Sequence, residues 1–163
     1  MAEKRRLTLK GFTALTAEHD ELSRVERPKV VKGVSDAAAE GDRSENAEYI
    51  YGKKRLREID KRLAYLSSLL KDVEVVDPSL LSGDTVQFGA TVVIVEEESG
   101  ATRRYTIVGE GEADLKDGTI SASAPVARAL LGRRRGDSVT IERPAGEIDV
   151  EITDILFGAR SAS

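Results

Sequence analysis

Two sets of apolar residues on either side of residue 42 are spaced as mirror images. Phe12, Leu15, His19 and Leu22 are separated by three, four and three residues, and Leu63, Leu66, Leu70 and Val73 repeat that spacing, which is the spacing of the a and d positions in a heptad seam. Pairing Phe12 with Val73, Leu15 with Leu70, His19 with Leu66 and Leu22 with Leu63 gives residue numbers that always sum to 85. An antiparallel pair of helices satisfies this pairing, turning between Asp42 and Arg43. Roughly thirty residues per helix at 1.5 Å each make a rod of about 45 Å, far longer than a small core requires, so the hairpin projects.

Thr8 is a suitable N-cap for the first helix, which runs into the upper 30s; the second is expected from about Ser44 to about Glu74. Pro28 interrupts the first helix and should bend it, because proline lacks a backbone donor and clashes with the preceding turn. Around it Val25, Val30, Val31 and Val34 shift the apolar stripe, and the sum rule is not extended beyond it.

Charge is distributed unevenly along the rod. From Asp36 to Glu48 the chain carries Asp36, Glu40, Asp42, Glu45 and Glu48 against Arg43 alone, whereas Lys53, Lys54, Arg55, Arg57, Lys61 and Arg62 face only Glu58 and Asp60. The hairpin therefore has an acidic tip on a basic shaft. Asp42 and Glu45 form an Asp-x-x-Glu sequence ahead of a helix, which reads as a capping box; at the end of a rod, the same carboxylates also concentrate negative charge where another molecule can reach it. Two carboxylates do not make a Mg²⁺ site alone, since that ion takes six near-octahedral oxygens, but they complete one whose other ligands lie in a partner. Lys53, Arg57 and Lys61 share a helix face. That face is either solvated, with Glu58 pairing to Lys54 or Arg62, or it holds a phosphate backbone. Tyr49 and Tyr51 either stack on a base or pack under the turn, packing being the more ordinary role.

Several classes are excluded. The chain has no Cys, and its one His falls in the apolar seam, which leaves neither a disulfide framework nor the ligands of a zinc enzyme nor a Ser-His-Asp hydrolase. No apolar run approaches a membrane span and residues 1–10 lack a signal-peptide core, so a cytoplasmic protein with no membrane partner is expected. The net charge of −4 argues against bulk nucleic-acid binding, yet residues 1–78 are +1 and residues 79–163 are −5. Gly109-Glu110-Gly111 lacks the remainder of a dinucleotide loop, and no P-loop is present.

Pro78, Ser79, Ser82 and Gly83 mark a linker, dividing the chain into 1–78 and 79–163. The period then changes to that of strands: Thr85 to Val95, a turn at Ser99-Gly100, Arg104 to Val108, Thr119 to Ser123, Ser138 to Ile141 and Ile148 to Ile152. Pro125 to Leu131 reads as a short helix stopped by Gly132. Arg133, Arg134 and Arg135 read most simply as a solvated turn. The fold class expected is α+β: an antiparallel coiled-coil hairpin followed by a small antiparallel β domain with one short helix.

The stretch Gly41-Asp42-Arg43-Ser44-Glu45-Asn46-Ala47-Glu48-Tyr49, continued by Lys53-Lys54-Arg55-Leu56-Arg57-Glu58-Ile59-Asp60, resembles the bacterial Gre transcript-cleavage factors, and GreB-like members more than GreA-like ones. Pro125-Val126-Ala127-Arg128-Ala129-Leu130-Leu131-Gly132, Gly136-Asp137 and Pro144-Ala145-Gly146 are similar to the family's C-terminal half. The resemblance implies a coiled-coil finger and an FKBP-like domain that docks at the rim of the secondary channel of RNA polymerase, here through Pro125 and Arg128. The finger then enters the channel, and Asp42 and Glu45 help hold a second Mg²⁺, kept mainly by the polymerase active site, so that water attacks the 3′ end of backtracked nascent RNA. The protein would not be an enzyme itself; it would act in trans as a monomer, with the Lys53 to Arg62 stripe contacting extruded RNA. Ala124 stands where the family usually has Ser, a difference that bears on docking more than on fold. Related factors enter the same channel and inhibit without cleaving, and a channel-blocking regulator is the alternative reading. A prolyl isomerase is disfavoured, because Phe88, Tyr105 and Phe157 are the only aromatic residues available to line a proline pocket.

Overall fold

In the computed structural model, residues 5–41, 46–158 and 160–161 are described. By compactness the chain falls into two units, Thr13–Lys71 and Met1–Phe12 together with Asp72–Ser163.

The helical unit holds most of the hairpin. Helix α1 covers Leu9–Glu21, a π-helical turn covers Leu22–Glu26, α2 covers Arg27–Ala39 and α3 covers Ala47–Leu70. Thr8 caps α1, its hydroxyl accepting from the Gly11 N–H at 3.1 Å. Side chains join the two arms at Glu18 and Arg62, His19 and Ser67, Glu26 and Arg55, and Arg27 and Asp60, pairs that straddle the expected register.

The π turn explains the displaced stripe after Pro28. The Arg27 N–H reaches the Leu22 carbonyl, five residues back, and Pro28 follows with no donor of its own. A π turn holds one residue more than the regular spiral. Leu15, His19 and Leu22 set the seam before it; continued at heptad spacing, that seam would pass through residues 29, 33 and 36. Those positions are exposed, whereas Val30 and Val34 are half-buried and Ala37 is buried, each one residue later. On α3 the seam runs through Gly52, Leu56, Ile59, Leu63, Leu66 and Leu70 without interruption. Gly52 is required there: a Cβ would come within 2.7 Å of Val34 Cγ2.

One expected seam pair is not helical. α3 ends at Leu70, Asp72 adopts φ 51, and Val73 leads into a strand, so Phe12 and Val73 do not form the last rung of the coiled coil. In place of that rung, β1 (Arg6–Thr8) pairs in parallel with β2 (Glu74–Val76), matching Leu7 with Val75. This pairing places residues 5–12, expected to belong with the hairpin, in the β unit.

The β unit is a curled six-stranded sheet built on β3 (Ala90–Glu96), β4 (Thr102–Val108), β5 (Thr119–Ser121), β6 (Ser138–Ile141), β7 (Ile148–Phe157) and β8 (Arg160–Ser161). The order is β5-β4-β3-β7-β6, with β8 beside β7. Pairing is antiparallel except that β5 lies parallel to β4, so the sheet is mixed where an antiparallel one was expected. The segment between β4 and β5 carries the chain back before β5 is laid down, which requires the parallel direction. The expected turn at Ser99-Gly100 is present, with Gly100 at φ 75 and its N–H bonded to the Glu96 carbonyl. Helix α4 (Pro125–Leu130) packs Ala127 and Leu130 into a core that includes Val92, Ile107, Ile152 and Phe157.

β7 extends five residues beyond the expected strand. Ile148, Val150 and Ile152 point inward; then the register shifts opposite Val93 and Ile94, and Ile155 and Phe157 take over the inward face. Thr153 is the extra residue, and its hydroxyl donates to the Val93 carbonyl at 3.2 Å. A bulge of one residue switches which parity faces the core.

Candidate functional site

The tip is framed by two defined helix ends. α2 finishes at Ala39, with Glu40 as C-cap and Gly41 at φ 147. α3 starts at Ala47 behind Asn46, whose Oδ1 accepts from the Tyr49 N–H at 3.0 Å while its Nδ2 donates to the Ala37 carbonyl at 2.8 Å. One side chain thus satisfies a free donor of α3 and adds a second bond to the Ala37 carbonyl, which also accepts from the Glu40 N–H at 3.2 Å. The signal for this was present in the sequence, an Asn directly before a helical pattern, but the Asp-x-x-Glu sequence upstream drew the cap assignment. Asp42, Glu45 and Arg43, and the expected turn between Asp42 and Arg43, lie outside the described residues. The capping-box reading of Asp42 and Glu45 is nonetheless corrected: the N-cap of α3 is Asn46, one residue beyond Glu45, and the helix starts at Ala47 instead of about Ser44.

The neighbouring acids do not act as one group. Asp36 pairs with Lys32 at 2.8 Å along α2, and the hydrogen bond that the Lys32 ammonium donates to Asp36 raises its pKa above the ordinary range. Glu40 and Glu48 are exposed, the latter in the first turn of α3, where a carboxylate is favoured by the helix dipole. Among the described residues no group of three or more His, Asp or Glu is arranged to hold a metal.

The six basic residues of the shaft separate into two sets. Arg55 bonds to Glu26 across the hairpin and lies 3.4 Å from Glu58; these carboxylates raise its guanidinium, the Glu26 hydrogen bond most. Arg62 pairs bidentately with Glu18 at 2.6 and 2.8 Å. Glu58 therefore pairs with Arg55, not with Lys54 or Arg62 as the solvated-face reading had it. Lys53, Lys54, Arg57 and Lys61 are all exposed and make no ion pair among the described residues. At helical spacing they form a continuous cationic stripe on the side of α3 away from its seam. Tyr51 is 71% exposed, so it does not pack under the turn, whereas Tyr49 is half-buried.

In the β unit, Pro125 is the first residue of α4 and is exposed, as is Arg128 one turn later. Ala124 is the N-cap and makes no side-chain cap bond; Ser121 and Ser123 bond to each other at 2.9 Å just ahead of it. Phe157 is enclosed in the core.

These observations define a class: a helical hairpin with an acid-bearing connection and a cationic shaft, joined to a curled sheet that carries one short helix. Comparison with known proteins identifies the family. Residues 5–75 match the family described as transcription elongation factor, N-terminal, and residues 81–157 match transcription elongation factor, GreA/GreB, C-term. The chain belongs to the GreA/GreB family of transcription elongation factors. It is 46% identical over 151 residues to transcription elongation factor GreA of Anaeromyxobacter sp. (strain K), covering 93% of this chain and 91% of that protein. It is 44% identical over 156 residues to the GreA of Rhodospirillum rubrum, covering 96% and 99%. Among solved structures, the prokaryotic transcription elongation factor GreA/GreB from Nitrosomonas europaea aligns at 24% identity and TM-score 0.41, covering 93% of this chain and 98% of its own. Among the described residues, no helix is long and apolar enough to cross a membrane.

Proposed function

We propose that this chain binds RNA polymerase in the cytoplasm, inserts its hairpin into the secondary channel and stimulates cleavage of backtracked nascent RNA, without being a nuclease itself. The observation that carries this reading is the cap of α3. Because Asn46 supplies it, neither Asp42 nor Glu45 is required as the N-cap of α3. Paired carboxylates are hard oxygen donors suited to Mg²⁺, and their number leaves most of the coordination to the polymerase. Asp42 and Glu45 would share such an ion with the polymerase, where it would supply activation of the attacking water and stabilisation of the leaving oxygen.

The remaining steps belong to this chain's own residues. Asn46 holds the ends of α2 and α3 on either side of the acids. Lys53, Lys54, Arg57 and Lys61 hold the phosphates of the extruded RNA 3′ segment by charge, and Pro125 and Arg128 dock the β unit at the channel rim. Arg55 and Arg62, engaged with Glu26 and Glu18, serve first to lock the shaft. The GreB-like part of this reading rests on the cationic stripe; the curated relatives quoted above are named GreA.

The experiment is RNA cleavage in purified backtracked elongation complexes, comparing the wild type with Asp42→Asn and Glu45→Gln across Mg²⁺ concentrations. Cleavage by the wild type that falls at least about a hundredfold in either variant, with polymerase binding retained, is expected. Binding without any stimulated cleavage by the wild type would instead make the protein a channel-occupying inhibitor.

A further inference from the structure

Just beyond the proposed docking helix the chain carries three consecutive arginines, Arg133, Arg134 and Arg135, in a half of the molecule whose net charge is −5. Their backbone is held on both sides. The Val86 N–H donates to the Arg133 carbonyl at 2.8 Å, the Gly132 N–H to the Val86 carbonyl at 2.9 Å, and the Gly136 N–H to the Ile152 carbonyl at 2.7 Å. Arg134 also bridges to Thr85, and its N–H is bonded by Asp137 Oδ2 at 2.8 Å. A turn this well tied fixes where the side chains start, leaving only their own rotamers to be ordered on binding.

The side chains themselves point to water. Arg133 and Arg128 are exposed and have no ion pair among the described residues. Arg134 lies 3.7 Å from Asp84 with 67% of its side chain accessible, and Arg135 lies 3.2 Å from Asp154 with 47% accessible. Pairs this exposed contribute little to stability and exchange readily for other carboxylates. Arg128 lies on α4 itself, and the three arginines follow the helix's last residue, Leu130, by three to five positions.

We propose that Arg128 and Arg133 to Arg135 form a second docking surface, for a carboxylate-rich segment of the polymerase beside the point where α4 seats. The proposal rests on the polymerase reading above and extends it by naming the partner's chemistry. Arginine forks match discrete carboxylates in pairs. Asp84, Asp137 and Asp154 lie among the arginines, and in this acidic half of the chain they would repel the dense phosphates of a nucleic acid, which favours a protein surface.

The test is equilibrium binding of the full chain to core RNA polymerase over a range of salt, with Arg133→Gln/Arg134→Gln/Arg135→Gln set against a control, Arg103→Gln/Arg104→Gln/Lys116→Gln, that removes the same charge from β4 and the segment after it. All the substituted side chains are exposed, and unchanged thermal midpoints check folding. The triple variant should bind about tenfold more weakly at low salt and with a shallower salt dependence, while the control binds as the wild type. Equal affinity and equal salt dependence of triple variant and wild type would overturn the arginine surface and leave the polymerase reading intact. Absence of wild-type binding would overturn both. Wild-type binding to duplex DNA alone that is lost in the triple variant would reassign the surface to nucleic acid and overturn the acidic-protein partner.

Discussion

The carboxylate of Glu112, in the loop after β4, accepts from the backbone N–H of Thr8 at 2.9 Å and from the Thr8 hydroxyl. It also accepts from the Gly109 N–H at 2.7 Å. Thr8 is the one buried polar residue among those described, and its hydroxyl caps α1. A single acid from the β unit therefore satisfies the strand end and helix start that precede the hairpin. Glu112→Ala strands two backbone donors and a hydroxyl and should cost about 2–3 kcal/mol, with Glu112→Gln costing less because one acceptor remains. Urea denaturation monitored by circular dichroism measures this.

Gly11 reports on the same carboxylate. A Cβ there would lie 1.8 Å from Glu112 Oε1, so Gly11→Ala must displace the carboxylate, although alanine is otherwise favoured in a helix by about 1 kcal/mol. Gly11→Ala should destabilise the wild type but stabilise the Glu112→Ala background. A double-mutant cycle on the unfolding free energy reads that reversal of sign. If the two substitutions prove additive, Glu112 is not in contact with the helix start.

The legible and illegible parts of this fold differ in one physical respect, whether the hydrophobic period runs unbroken. The α3 seam keeps heptad phase from Gly52 to Leu70, and its Leu63 to Leu70 portion is legible in the sequence, as are β6 and the first half of β7. Twice the period is reset by one residue, at the π turn Leu22–Glu26 and at the bulge residue Thr153. In each place the pattern read from sequence stops where the reset occurs: the stripe became indistinct after Pro28, and β7 was ended at Ile152. β1 and β2 are not legible because each is a three-residue strand paired, among the described residues, only with the other, and their pairing spans the whole hairpin. In the candidate site, the basic residues are legible as a group, but their division into Arg55 and Arg62 on the one hand and the four cations without an ion pair among the described residues on the other depends on Glu18 and Glu26, far away in sequence.

Deletion of Ser23 tests the phase reset. Removing one residue from the π turn restores the regular spiral and brings Val30, Val34 and Ala37 into unbroken heptad phase with Leu15, His19 and Leu22. The packing of α2 on α3 should therefore survive the deletion, any loss being confined to the turn around Pro28, which then sits in a regular spiral. Hydrogen exchange should show protection retained in α2 and the first half of α3, and protection lost throughout α2 would show that the π turn does not set the phase.

Acid should loosen the shaft. The Arg62 hydrogen bond holds the Glu18 carboxyl below its ordinary range, and the Arg27 hydrogen bond does the same for Asp60. A carboxylate with a lowered folded-state pKa contributes stability that is full above its unfolded value and is lost as pH falls through the folded one. The loss is therefore confined to pH below about 4, the region of the unfolded carboxylates. Because the Glu18 pair is substantially solvent-accessible, its share should stay under about 1 kcal/mol. Thermal midpoints between pH 6 and pH 3 should fall less steeply in Glu18→Gln/Asp60→Asn than in the wild type, and an unchanged slope would assign the acid sensitivity to other groups.

Asn46 separates a structural from a chemical role at the tip. Its Oδ1 caps α3 and its Nδ2 ties the Ala37 carbonyl, so Asn46→Ala removes both bonds and should cost about 1–2 kcal/mol of hairpin stability. Asn46→Asp keeps the capping acceptor and lacks only the donor to Ala37. If the two helix ends must be held together to aim Asp42 and Glu45, Asn46→Asp should retain helix content yet lower RNA cleavage several-fold, with polymerase binding unchanged. If cleavage follows helix content alone, falling in Asn46→Ala and remaining at the wild-type level in Asn46→Asp, then the cap matters and the tie to α2 does not. Circular dichroism, polymerase binding and cleavage measured on the same two variants distinguish these outcomes.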